Sequence, residues 1–125
     1  MATIVVVEDQ RDSLKLITVL LTMKGHRVVG LASGEELVAT LRAAHPAPEL
    51  VLLDIQLPGR DGYSVLGDVK KMKGDHRWKV VALTAHAMPG DREKALAAGF
   101  DGYIAKPIDV RSFPDEVARY LAAAR

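Results

Sequence analysis

Four apolar residues in a row, Leu50-Val51-Leu52-Leu53, are followed directly by an acid, Asp54, and a few positions later by Pro58-Gly59. Such a run, with no polar alternation, can be buried on both faces of a sheet, and the Pro-Gly pair ends it. Asp54 therefore falls at the C-terminal end of a strand. In open parallel sheets that edge is where ligands bind, because the turns between strands and helices open a crevice there.

Strand-like and helix-like segments alternate along the whole chain. Ile4-Val5-Val6-Val7 is a β-branched run, and the acidic turn Glu8-Asp9-Gln10-Arg11-Asp12 leads into a helix expected over residues 13–24, closed by Gly25. Arg27-Val28-Val29-Gly30-Leu31 reads as a second strand. Ser33-Gly34-Glu35-Glu36 has the spacing of a capping box, opening a helix through Leu37, Leu41 and Ala44 that Pro46 and Pro48 stop. After the central strand, Asp61 can cap a helix bearing Tyr63, Leu66, Val69 and Met72 on one face, ended by Gly74. Val80-Val81-Ala82-Leu83 is a fourth strand, and a helix opening at Pro89-Gly90-Asp91 is closed by Gly99. A fifth strand falls within residues 100–105, and the last helix spans about residues 112–124. Its stripe is Val110, Phe113, Val117, Tyr120, Leu121 and Ala124, and Pro114 is tolerated because it falls in the first turn. Parallel strands need crossover connections, so this order predicts an α/β fold with a doubly wound, five-stranded parallel sheet and five helices.

Composition narrows the function. A chain of 125 residues suits one domain, residues 1–125, with no room for a second globular domain. Seventeen basic against sixteen acidic side chains leave a net charge of +1, which is not the footprint of a nucleic-acid binder. Lys70, Lys71, Lys73, Arg77 and Lys79 read as the solvated end of a helix and its loop. Without cysteine, disulfides, thiolate metal sites and cysteine nucleophiles are excluded. No basic leader precedes the first strand and no apolar run is long enough to span a membrane, so the chain is expected to be cytoplasmic, with no membrane partner.

In such a sheet the ends of the first, third, fourth and fifth strands share one edge, which collects Glu8 and Asp9, then Asp54, Thr84 and Lys106. Three carboxylates within about 4–5 Å repel by a few kcal/mol per pair at an effective dielectric near 20, so the cluster calls for a cation. Magnesium is the natural one: it prefers oxygen ligands and is commonly held by one or two carboxylates plus a phosphate oxygen. The first turn also decides against a nucleotide or flavin phosphate. Those need a Gly- or Ser/Thr-rich loop offering N–H groups, and Glu-Asp-Gln-Arg-Asp repels bare phosphate instead.

The acidic pair Glu8-Asp9, the Asp-x-x-x-Pro-Gly sequence from Asp54 to Gly59, the Leu83-Thr84-Ala85 turn and the segment Tyr103-Ile104-Ala105-Lys106-Pro107 together resemble a two-component response-regulator receiver domain. The resemblance covers essentially the whole chain and is to the stand-alone, single-domain, cell-cycle regulator type. It implies the flavodoxin-like strand order 2-1-3-4-5. It also implies that Asp54 accepts a phosphoryl group from a phosphohistidine on a histidine kinase or histidine phosphotransferase. Glu8, Asp9, Asp54 and the backbone carbonyl of Gln56 would hold Mg2+. Lys106 would pair with a phosphoryl oxygen and Thr84 would donate its hydroxyl to another, with Ala85 leaving the site open. Drawing Thr84 inward would let the ring of Tyr103 move in, changing the surface of the fourth helix, fifth strand and fifth helix for a downstream protein target. The Lys106-Pro107 bond resembles the family's cis peptide. A monomer or weak dimer is expected.

Two residues depart from the common pattern. Glu8 stands where many receivers have Asp, which leaves open whether it binds metal directly or through water. Gln56, two residues after the acceptor, lies near the route of a hydrolytic water and could tune phosphate lifetime in either direction. Two rival functions are weaker. A receiver-like scaffold that signals without phosphorylation would be expected to lack an acid, Thr84 or Lys106. An aspartyl-phosphate phosphatase wants a second acid two residues after its nucleophile, where Gln56 stands. The switch would catalyse its own phosphorylation and slow dephosphorylation while turning over no metabolite.

None of the four histidines, His26, His45, His76 and His86, is expected to be catalytic, although His86 borders the expected site. In the first helix Leu14, Ile17 and Leu21 form one apolar stripe and Leu16, Leu20 and Met23 a second, roughly opposite one. Part of the second stripe is expected to be exposed and to dock the phosphodonor's helices, the competing reading being that it packs against the last helix.

Overall fold

The β-branched and leucine-rich runs become strands in the computed structural model, which describes residues 2–43, 48–57, 59–72, 78–85 and 88–123. The chain runs β1 (Thr3–Val7), α1 (Arg11–Met23), β2 (Arg27–Leu31), α2 (Gly34–Ala43), β3 (Leu50–Asp54), α3 (Gly62–Lys70), β4 (Lys79–Thr84), α4 (Asp91–Ala98), β5 (Gly102–Ala105) and α5 (Phe113–Ala123). All four strand pairings are parallel and the order is β2-β1-β3-β4-β5, as expected. Chain direction across the sheet reverses its order beside β1 and β3. Their C-terminal ends flank the crevice of a doubly wound fold.

Side chains alternate between two cores. Val5, Val7, Val51, Leu53, Val80 and Ala82 face α2, α3 and α4, meeting Leu37, Leu41, Val65, Leu66, Val69 and Ala95. Ile4, Val6, Leu50, Leu52, Val81 and Leu83 face α1 and α5, meeting Ile17, Leu20, Leu21, Phe113 and Val117. The apolar run 50–53 is thus buried on both sides, and each of these leucines contributes about 1.5–3 kcal/mol through burial.

The local punctuation acts as its chemistry requires. Ser33 Oγ accepts from the Glu36 N–H at 3.2 Å while Glu36 Oε2 accepts from the Ser33 N–H at 3.1 Å, a closed capping box. Asp61 Oδ1 accepts from the Ser64 N–H at 2.9 Å and caps α3. Gly99 ends α4 in the left-handed conformation.

Several expectations need correction. The first helix starts at Arg11, two residues early, because Gln10 adopts the extended cap conformation and the acidic turn is shorter than its charge suggested. Leu20 is not on an opposite stripe. Three residues along a helix return to within about 60° of the start, which puts Leu20 on the buried arc of Ile17, in one core with Phe113 and Val117 of α5. Met23 is 77% exposed and Leu16 half-buried, so the expected exposure holds for part of the stripe. Val110 precedes α5 and is 56% exposed, since the helix begins only at Phe113. Met72 lies beyond α3 yet still packs on the α2, α3 and α4 side. Ala44, His45, Pro46, Pro58, Lys73, Gly74, His76, Arg77, His86 and Ala124 fall outside the described residues.

Candidate functional site

The strand register builds the site. Val7 is level with Leu53, Leu53 with Ala82, and Thr84 with Ala105, so one further step along each strand sets Glu8 beside Asp54 and Lys106 just past Thr84. Alternation then sorts these side chains between faces. Asp54 follows the parity of Leu50 and Leu52 and Glu8 that of Ile4 and Val6, toward α1 and α5. Thr84 and Tyr103 have the parity of Ala82 and Val80, toward α4.

Contacts follow that sorting. Lys106 Nζ donates to Glu8 Oε2 at 2.5 Å and to Asp54 Oδ2 at 3.0 Å. Asp54 Oδ1 accepts from the Gln56 N–H at 2.8 Å, and Glu8 Oε1 from the Gln10 N–H at 3.1 Å. Lys106 is anchored in turn by its own N–H, which donates 2.7 Å to the Thr84 carbonyl, and the Lys106-Pro107 peptide is cis. Glu8, Asp54 and Thr84 are 1%, 3% and 3% exposed, while Asp9, Gln56 and Ala85 open to solvent.

Among the described residues, Glu8, Asp9 and Asp54 each bring a carboxylate oxygen within 4.8 Å of the others. Three carboxylates against the one Lys106 ammonium leave two negative charges uncompensated, and an oxygen-only donor set of that charge fits a hard divalent cation. Burial is the largest influence on Glu8 and raises its pKa above 4.5. The Lys106 hydrogen bond opposes that rise and the nearby Asp54 charge adds to it. Burial alone would lower the Lys106 pKa, but its hydrogen bonds to Glu8 and Asp54 outweigh burial and raise it.

Tyr103 is half-buried against the α2, α3 and α4 core. Its packing in that layer buries the phenol and raises its pKa, with Asp91, Tyr63 and Glu93 adding to the effect. Of the site residues named from the sequence, Glu8, Asp9, Asp54 and Lys106 come together at one edge, Thr84 stands beside Lys106 at the end of β4, and Tyr103 lies with Thr84 on the α4 side. Three neighbours were not foreseen. Gly62 presses against the Asp54 backbone: a Cβ there would come 2.8 Å from the Asp54 carbonyl oxygen. A glycine inside the first turn of a helix, where propensity disfavours it, was the available signal. Arg60 ties α3 to the preceding loop through Ser64 Oγ at 2.8 Å and Asp68 at 2.7 Å, a pairing that raises the Arg60 pKa and lowers that of Asp68; nothing in local sequence marked it. Tyr120 contacts the Tyr103 backbone and read only as part of a core stripe. A cavity of about 460 Å³ opens beside Lys106, walled by Leu16, Ala85, Pro107 and Ile108. Among the described residues no helix is long and apolar enough to cross a membrane.

Comparison with known proteins agrees with this geometry. The polar-differentiation response regulator DivK of Brucella ovis is 36% identical over 98% of both chains. The receiver domain of the sensor histidine kinase PA1611 from Pseudomonas aeruginosa PAO1 was solved with a magnesium ion coordinated in its active site cleft. It is 31% identical, with a TM-score of 0.84 over 97% of this chain and 98% of that one. A CheY-like receiver domain protein from Methanospirillum hungatei JF-1 is 26% identical, with a TM-score of 0.86 over 99% of this chain and 96% of that one. Residues 4–118 match the response regulator receiver domain, and with the acidic edge, the paired lysine and the sheet order all in place, the chain belongs to that family.

Proposed function

We propose that this receiver is a phosphoaccepting switch of a two-component phosphorelay, with Asp54 as the acceptor. The observation that carries this reading is the pairing of a buried carboxylate with a partly buried ammonium at the mouth of an acidic cluster. A carboxylate oxygen of Asp54 attacks the phosphorus of a phosphohistidine on a histidine kinase or phosphotransferase. The new O–P bond forms as the N–P bond breaks, and the imidazole nitrogen keeps that electron pair and takes up a proton. Gln56 N–H and Lys106 fix the orientation of the Asp54 carboxylate before attack, and Lys106 stays within reach of a phosphoryl oxygen. Glu8, Asp9 and Asp54, with the Gln56 carbonyl, would hold Mg2+, which when bound offsets repulsion between the nucleophile and the phosphoryl oxygens.

Thr84 then donates its hydroxyl to the phosphoryl group, and Tyr103, on the same face of the neighbouring strand, moves into the space this leaves. The change reaches a downstream protein through α4, β5 and α5. The phosphodonor approaches from the α1 side, where Leu16 walls the cavity beside Lys106 and Met23 is exposed. A net charge of +1 supports a protein partner over nucleic acid, and the switch is read as acting in the cytoplasm.

The test is incubation with acetyl phosphate and Mg2+, followed by intact mass. The wild type should gain an acid-stable, metal-dependent phosphoryl adduct that Asp54→Asn lacks. An adduct of equal yield in the variant would overturn the assignment.

A further inference from the structure

We infer that Tyr120 is a positioning residue that clamps the backbone of Tyr103 and passes the movement of β5 to α5. Three observations outside the phosphoacceptor site carry this. The Tyr103 N–H donates to Tyr120 Oη at 3.2 Å, and the Tyr120 hydroxyl donates to the Tyr103 carbonyl at 3.3 Å. A single hydroxyl, with one donor and two lone pairs, can make both bonds at once. Gly102 is the seat for the ring: a Cβ there would come 2.7 Å from Tyr120 Oη and closer still to the ring carbons, so no other residue admits the phenol at that depth. Finally, β5 is an edge strand, paired only with β4, and the backbone groups it turns away from β4 need partners from elsewhere in the fold.

The two faces of β5 make this clamp a coupling. The ring of Tyr103 packs on the α2, α3 and α4 side, whereas Tyr120 packs with Ile104, Phe113 and Val117 on the α1 and α5 side. Tyr103 is therefore held by its main chain from one layer while its side chain packs in the other, on the face it shares with Thr84. A displacement of the Tyr103 main chain cannot occur without moving Tyr120 or breaking two hydrogen bonds. The inference rests on the switch reading proposed above.

Tyr120→Phe keeps the ring on Gly102 and removes both bonds, so it isolates the clamp. In the metal-free, unphosphorylated 15N-labelled chain, the Tyr103 amide should exchange with solvent about tenfold faster in Tyr120→Phe, measured relative to the amides of Val81 and Leu83. With acetyl phosphate and Mg2+, the wild type should show amide shift changes at Thr84, Tyr103 and along α5. In Tyr120→Phe the α5 changes should fall to less than about half while those at Thr84 persist. Unchanged Tyr103 exchange, or α5 changes as large as in the wild type, overturns the coupling. If the wild type and Asp54→Asn respond alike, the phosphoacceptor reading itself fails and the coupling falls with it, while the exchange rates still report whether the clamp exists.

Discussion

The Nζ of Lys106 donates to Asp54 Oδ2 across 3.0 Å although 52 positions of chain separate the two residues. The same ammonium reaches Glu8, so one cation is shared by two carboxylates that are almost wholly buried. Two acids in that position would repel each other without it. Breaking a buried pair by removing one partner costs more than the pair contributes net, because the remaining charge is left uncompensated.

Lys106→Met should therefore destabilise the metal-free protein by about 3–5 kcal/mol, read as a lower urea midpoint. With the ammonium gone, three carboxylates face each other and a divalent cation is held more tightly. Millimolar Mg2+ should raise the midpoint of the variant more than that of the wild type. Equal responses to Mg2+ would show that the ammonium and the cation do not share the same field.

Glu8 sets the pH dependence of the metal-free protein on the acid side. Burial raises its pKa above the ordinary 4.5, so the folded state keeps the proton to a higher pH than the unfolded state does. Fewer protons are then bound by the unfolded chain, and stability falls as pH rises from 4.5 through the folded value. Lys106 acts in a different range: its pKa is raised, so its stabilisation is complete below 10.5 and is lost as pH rises from there through the folded value. Thermal midpoints in chelator from about pH 4 to pH 7 should show the falling limb in the wild type and not in Glu8→Gln. Parallel profiles would remove Glu8 from this role.

Periodicity made the layers legible. An apolar run such as 50–53 has few options, and the capping chemistry of Ser33 and Asp61 is local enough to be read residue by residue. The acidic edge was also legible, because parallel topology alone brings the ends of β1, β3, β4 and β5 together. What escaped depended on distances between elements. Leu20 joined the core because α5 comes close enough to cover it, and Tyr120 became a clamp because Gly102 lets the phenol reach the β5 main chain. The Glu8 to Lys106 bond is of the same kind: the direction of the glutamate side chain is decided by a residue just past β5, 98 positions away.

Ser33→Ala separates helix capping from the switch. The variant loses the Ser33 Oγ bond to the Glu36 N–H while the Ala32 and Ser33 N–H groups can keep Glu36. The cost should be about 1 kcal/mol. The yield of the Asp54 adduct should not change, since α2 contributes none of the acidic edge. A drop in adduct with no loss of stability would contradict this division.

Two glycines that follow Asp54, Gly59 in the loop and Gly62 in the first turn of α3, should respond differently to the same substitution. Gly59 has φ +83° with nothing near its missing Cβ, so Gly59→Ala meets backbone strain alone, about 1–2 kcal/mol. Gly62 has a negative φ, but its Cβ would come 2.7 Å from Ile55 Cα and 2.8 Å from the Asp54 carbonyl oxygen. The loop closes at the same place, where the Gly62 N–H donates to the Ile55 carbonyl at 2.6 Å. Relief in Gly62→Ala therefore requires the main chain of the acceptor itself to shift, and overpacking of this kind costs about 1–3 kcal/mol. Both variants should lose stability by similar amounts. Only Gly62→Ala should also slow adduct formation and weaken Mg2+ binding, since only there does the added carbon push on the residue that carries the nucleophile. Matched rates of acetyl-phosphate labelling in the two variants, compared at equal fractions folded, would show that Asp54 is not held in place by that contact.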